Sequence, residues 1–155
     1  MALTKIKSIL TTCGIVSWCV LLVGCAAAPI QEMSDARQSL QAAHDAGAGK
    51  YASVKLRKAE LALERAEEKL ADRVFKEARI NAIAAKTEAM DAQEIALAIG
   101  AAQDAVTQAA KNGNASPEAE ALLQQAEHAA GQGNKQEALS LANEAKLKAT
   151  QSLGL

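Results

Sequence analysis

The side chains of this 155-residue chain best suited to covalent or metal chemistry are Cys13, Cys19, Cys25, His44 and His128. His44 and His128 are far apart in sequence, and each lacks the nearby cysteine or second histidine that a zinc site would use. Both lie in polar helical surroundings and are expected on the surface. The carboxylates sit among Lys and Gln, without the apolar pocket that would raise one of them into the range of a general acid, so a solvated face is expected for them. There is no Gly-rich phosphate loop, serine elbow or Cys/His pair. These patterns predict no enzyme, no metal and no bound cofactor. Cys25 is different, because "LVGCAAAP", residues 22–29, closes the only long apolar run of the chain and puts a thiol directly behind it.

The residues ahead of that thiol have the three parts of an export signal. Lys5 and Lys7 supply the positive start, Ile9 to Val23 the apolar stretch, and Gly24 a small residue at the cut. The stretch is interrupted by Ser and Thr and meets Ala26 to Pro29 where a retained span would meet basic residues. A cleaved signal over residues 1–24 is the expectation, since a spanning helix needs about 20 apolar residues.

Leu22-Val23-Gly24-Cys25 resembles the lipobox of bacterial lipoproteins. The resemblance implies a diacylglycerol thioether on Cys25, cleavage between Gly24 and Cys25, and an acyl group on the new amino terminus. Several chains at about 0.8 kcal/mol per buried methylene anchor far more firmly than one myristoyl chain. Ala26 stands where many Gram-negative lipoproteins kept in the inner membrane carry aspartate, so the expected address is the periplasmic face of the outer membrane.

Removing residues 1–24 takes Cys13, Cys19 and Trp18 away and leaves Cys25 as the sole, modified cysteine, so no disulfide is expected. It lowers the basic count from 17 to 15 against 18 acidic residues, a net charge near −3. Nucleic acid is excluded as an expected partner, because phosphate binding wants a concentrated basic surface with stacking aromatics, and only Tyr51 and Phe75 remain.

Alanine makes up roughly a quarter of what is left, with Glu, Gln, Lys and Leu beside it, the composition of highest helix propensity. The fold class is therefore all-α: helical hairpins in an antiparallel bundle, or an alanine-rich coiled coil. After a lipidated tether at 25–32, Met33, Ala36, Leu40 and Ala43 step through a first helix that ends at "AGAG", residues 46–49. A second helix starts near Ser53 with Leu56, Ala59, Leu63, Ala66 and Leu70 as its stripe. Glu60, Glu64, Glu68 and Asp72 fall on one flank of it and Arg65, Lys69 and Arg73 on the other. That sorting fits either a solvated face or a code for the neighbouring helix.

Ala78, Ala82, Ala85, Ala89, Ala92, Ala96 and Ile99 form a narrow seam, with Ile83, Met90 and Leu97 alongside at steps of seven. Alanine has little to bury but allows close approach of helices, so this long helix is expected to need a neighbour. "KNGNASPEAE", residues 111–120, ends it and restarts with Ser116 as N-cap and Pro117 at the first helical position.

Displaced by 60 residues, Ala59, Glu60, Leu63, Ala66, Glu67, Glu77, Ala78, Ala82, Ala85 and Lys86 recur at 119, 120, 123, 126, 127, 137, 138, 142, 145 and 146. In the second copy "GQGNKQEA", residues 131–138, is a turn between helices. "ADRVFKEA", residues 71–78, is then the same turn without its glycines, Phe75 plugging the corner. The competing expectation is one unbroken helix from Ser53 to Ala110, since nothing at 71–76 strongly breaks one.

The Ala36-Arg37 helix, the "AGAGKYA" joint at 46–52, the Leu56, Ala59 and Leu63 run and the Phe75, Glu77, Ala78 and Arg79 corner resemble an uncharacterised family of bacterial envelope lipoproteins, the domain of unknown function 4398. The resemblance covers residues 31 to about 95, within a helical region expected over 33–110 and followed by a C-terminal hairpin at 111–155. It implies a fold and an address and no activity. The expected role is structural or adaptor, with the membrane as partner through the lipid and an envelope protein or peptidoglycan beyond it. A second copy of the chain would join them if the seam closes between molecules. The alternative is a ligand-binding or accessory lipoprotein of an envelope pathway.

Overall fold

The computed structural model describes residues 27–154, which form six α-helices and no strand. They are α1 (Ile30–Asp45), the single turn α2 (Ala48–Tyr51), α3 (Ser53–Ala71), α4 (Phe75–Lys111), α5 (Pro117–Gly131) and α6 (Lys135–Ser152). The all-α expectation holds. Between α3 and α4 the chain turns, so the unbroken helix over 53–110 is not formed.

α4 is the spine. Its 37 residues run about 55 Å at 1.5 Å per residue; α1 and α3 lie mainly along it, and α6 is shared between it and α5. Ion pairs give the directions. Glu32 meets Arg79 and Asp35 meets Lys86, so α1 ascends parallel to the first half of α4. Lys55 meets Asp91 while Lys69 meets Glu77, so α3 descends antiparallel beside it. α6 begins where Lys135 reaches Asp91 and Glu94 and follows the second half of α4, with α5 packed chiefly on α6.

The seam is the core of this arrangement. Ala78, Ala82, Ala85, Ala89, Ala92, Ala96 and Ile99 are all buried within the one chain, against α1 and α3 below and α5 and α6 above. Methyl groups permit backbones to close in on α4 from several sides, which a leucine seam would prevent. Ile83, Met90 and Leu97 run alongside the seam, as their spacing predicts. Each follows a seam alanine by one residue, hence by about 100° of helix rotation, and each lies outside the core.

The repeat has a physical basis. Ala59, Leu63, Ala66, Ala78, Ala82 and Ala85 are buried, and so are their counterparts Ala119, Leu123, Ala126, Ala138, Ala142 and Ala145. The two corners also share one backbone motif. Val74 N–H donates to Lys69 O and Arg73 N–H to Leu70 O, as Asn134 N–H does to Ala129 O and Gly133 N–H to Ala130 O. This pairing of bonds ends a helix on a left-handed residue. Phe75 does not plug its corner. It opens α4 half-buried, because the backbone bonds close the turn and Leu70, Ala66 and Ala82 supply the packing below it.

Other local expectations hold. Ser116 Oγ accepts a hydrogen bond from Ala119 N–H at 3.3 Å, with Pro117 opening α5. At the 46–52 joint Gly47 takes φ +80°, α2 follows, and Ala48 and Ala52 are buried. α1 starts at Ile30, ahead of Met33: Pro29 is buried, and Arg79 Nη2 donates to Ala27 O at 3.1 Å, tying down the chain before the helix begins.

Candidate functional site

The residues singled out for lipid chemistry, Leu22, Val23, Gly24 and Cys25, lie outside the described residues. Two features on α4 stand out within them: a cluster of charges at mid-helix and a row of apolar side chains beside it.

The charge cluster is where three helices meet. Lys55 of α3 reaches Glu88 at 2.9 Å and Asp91 at 3.0 Å, while Lys135 of α6 reaches Asp91 at 2.7 Å and Glu94 at 2.6 Å. Asp91 thus accepts from both hairpins at once, through Oδ2 and Oδ1. Burial pushes the Asp91 carboxyl up, but hydrogen bonds from Lys135 and Lys55 outweigh it and hold the group below the usual carboxylate range. Burial likewise works against the charge on Lys55, and Glu88 and Asp91 reverse that effect and leave its ammonium harder to deprotonate than usual. Lys135 is raised by its bonds to Asp91 and Glu94. Glu88 Oε2 is shielded from solvent, with the Lys55 ammonium beside it outside good hydrogen-bond geometry.

This cluster joins parts of the fold. Each close carboxylate has an ammonium partner, Glu88 and Asp91 in Lys55 and Asp91 and Glu94 in Lys135. Further pairs fix the direction of α1. Arg79 Nε donates to Glu32 at 2.7 Å, Lys86 to Asp35 at 2.8 Å and Arg37 to Glu67 at 2.8 Å. Glu32 is lowered first by the backbone N–H groups of the helix start and then by Arg79. Asp35 is lowered first by Lys86 and then by Gln31.

The flank charges of α3 are mainly solvated. Glu64, Glu68, Arg65 and Arg73 are exposed, and the contacts that choose neighbours come from Lys55, Asp91, Arg79 and Lys86. Sequence reasoning passed over Lys55 and Asp91. The available signal was position: Lys55 immediately precedes the stripe residue Leu56, and Asp91 sits between the seam residues Ala89 and Ala92. A charge at the rim of a buried stripe is where a partner from another helix is required.

His44 and His128 are both exposed, His44 3.6 Å from Glu60 and His128 2.8 Å from Gln132. Among the described residues no three His, Cys, Asp or Glu gather as they would around a metal, and no helix is long and apolar enough to cross a membrane.

The apolar row is Ile83, Met90 and Leu97, 49, 52 and 57% exposed, with Ile80 beside it at 57%. A shallow open groove runs past Met90 and Leu97 to Lys135, between α4 and α6. These are the large apolar side chains of α4 left outside its core, and they share one face.

Residues 31–101 match the model of a family described as Domain of unknown function (DUF4398). This segment of the chain belongs to that family. The match takes in α1, α2, α3 and most of α4, including the mid-helix cluster as far as Glu94 and the whole apolar row, and stops before α5 and α6. No curated protein and no solved structure matches the chain.

Proposed function

We propose that this chain is a lipid-anchored structural or adaptor protein of the bacterial cell envelope, held through Cys25 at the periplasmic face of the outer membrane, with no catalytic role. The observation that carries the reading is the sequence Leu22-Val23-Gly24-Cys25 at the end of the apolar run. The beginning of the fold supports it. Ala27 is already bound to Arg79, Pro29 is buried and α1 starts at Ile30, so only a few residues separate Cys25 from the bundle. An anchor at Cys25 would seat the start of α1, the α3–α4 corner and the first turn of α4 near the lipid. α4 would then carry α5 and α6 outward over its length of about 55 Å.

The adaptor role rests on the surface. The groove beside α4 is open, where a small-molecule site is a cleft that encloses most of its ligand. Half-exposed apolar residues in a row suit contact with another polypeptide, a second copy of this chain included. The test is Cys25→Ser, which removes the thioether acceptor. Labelled palmitate should no longer enter the protein, and fractionation should find an uncleaved or displaced precursor. A palmitate-labelled, membrane-bound mature form in that variant would reject the anchor. Cross-linking of intact envelope followed by capture of the wild-type chain tests the adaptor role, and recovery without any envelope protein or peptidoglycan fragment counts against it.

A further inference from the structure

We propose that the exposed face of α4 is a contact between two copies of this chain, the two α4 helices crossing antiparallel with Met90 at the centre. The alanine seam cannot serve this purpose, because α1, α3, α5 and α6 of the same chain already fill it. The row Ile83, Met90 and Leu97 remains, at intervals of seven along one side of the helix. A seven-residue interval keeps apolar side chains facing a second helix.

The row is symmetric about its middle member. Ile83 and Leu97 each lie seven residues from Met90, so reversing one helix sets Ile83 level with Leu97 of the other copy and Met90 level with Met90. That is the self-complementarity a two-fold interface requires.

Charge selects the same direction. Towards its start the face carries Lys76, Arg79 and Lys86, and towards its end Glu94 and Asp104, with Lys111 past the point where an antiparallel partner's α4 would begin. A parallel pair would set Lys76 beside Lys76 and Asp104 beside Asp104. The antiparallel pair sets the basic half of each copy level with the acidic half of the other. Lys76 and Asp104 have no ion-pair partner among the described residues, although charges nearer the core do.

The flanking helices fit as well. α1 borders the face only along the first half of α4, on the side of Arg79 and Lys86. α6 borders it only along the second half, on the side of Asp91 and Glu94. In the antiparallel pair α1 of one copy comes beside the open flank of the other copy's second half, and α6 beside the open flank of its first half. The contact then extends beyond one helix pair, towards the roughly 800 Å² per partner of a stable interface.

The test uses the full chain in bacterial cells, two differently tagged copies being expressed together. A photoreactive benzoylphenylalanine replaces Ile83, Met90 or Leu97 in one of them. Illumination should give a doubly tagged product from each position, with the probe at 83 attached near Leu97 of the other copy and the probe at 97 attached near Ile83. Adding Leu97→Glu should cut the product from position 90 about tenfold or more, because the pair would bury a charge, while the melting curve at dilutions where the chain is a monomer stays that of the parent. Attachment of the position-83 probe near Ile83, attachment only to a different protein, the lack of a doubly tagged product, or a yield unmoved by Leu97→Glu would each overturn the proposal.

Discussion

At the α3–α4 corner Arg73 stands where the α5–α6 corner has Gly133, and Val74 stands where the other has Asn134. The backbone hydrogen bonds are the same, and the left-handed residue has φ 60° in the first and 76° in the second. Arg73 is the one non-glycine residue with positive φ among the described residues. For a residue with a Cβ that conformation costs about 1–2 kcal/mol. Asn134 also caps α6, its Oδ1 accepting from Glu137 N–H at 3.5 Å and its Nδ2 donating to Glu137 Oε2 at 2.7 Å, whereas Val74 gives α4 no such cap. The first corner forms despite its turn residues, so the packing on either side of it must supply what they do not. Small buried residues at matching positions of both hairpins provide that packing.

The sharpest way to break the likeness is to charge the seam. Ala89 is fully buried at the middle of α4, and Ala89→Glu should destabilise by more than about 3 kcal/mol, through overpacking and a buried carboxylate. The repeat-related Ala149→Glu should cost less, about 1–2 kcal/mol, because Ala149 lies in the last turn of α6, where a longer side chain can reach water. Denaturant titration of the two variants checks the order, and equal losses would mean that the hairpins do not differ in how deeply they are held.

Next comes the tie between them. Asp91→Asn should cost about 2 kcal/mol by leaving Lys55 and Lys135 without their shared carboxylate. The pH dependence follows from the shifts. Asp91, Glu32 and Asp35 are lowered in the fold, so their contribution is present above the unfolded carboxylate pKa near 4 and is lost as pH falls through the folded values. Lys55 and Lys135 are raised, so theirs is present below the unfolded lysine pKa of about 10.4 and is lost as pH rises through the folded values. Thermal melts should show a plateau between about pH 5 and 10, and Asp91→Asn should lower the plateau and soften both edges.

The corners themselves can be exchanged. Gly133→Ala should destabilise by about 1–2 kcal/mol, since a Cβ there takes an unfavourable φ and would meet Val54 Cγ1 at 3.1 Å. Arg73→Gly with Val74→Asn should do the opposite and raise stability by about 0.5–1 kcal/mol, by relieving the positive φ and adding a cap. A loss of stability in the second variant would show that Arg73 makes a contact worth more than its strain. The smallest effect is expected from Glu64→Gln on the exposed flank of α3, within about 0.5 kcal/mol by the same melts.

What the sequence determined by itself is what depends on neighbours along one helix. The all-α class, the ends of helices at the 46–49 joint and after Lys111, the Ser116 cap and the buried members of both repeats follow from spacing of 3.6 residues per turn and from local backbone chemistry. The corner at 72–74 was legible only through its copy, because Arg73 and Val74 carry no turn signal of their own. Tertiary structure decided the rest. Whether Ala89 faces another molecule or α1 and α3 is a question of what lies across the seam, and periodicity within α4 is the same in either case. Lys55, Asp91 and Lys135 are 36 and 44 residues apart in sequence and meet only because α3 descends and α6 ascends beside one spine. Met90 runs alongside the seam in the sequence, and a rotation of about 100° per residue separates the two rows, but only the placement of neighbouring helices says which row is buried and which is exposed.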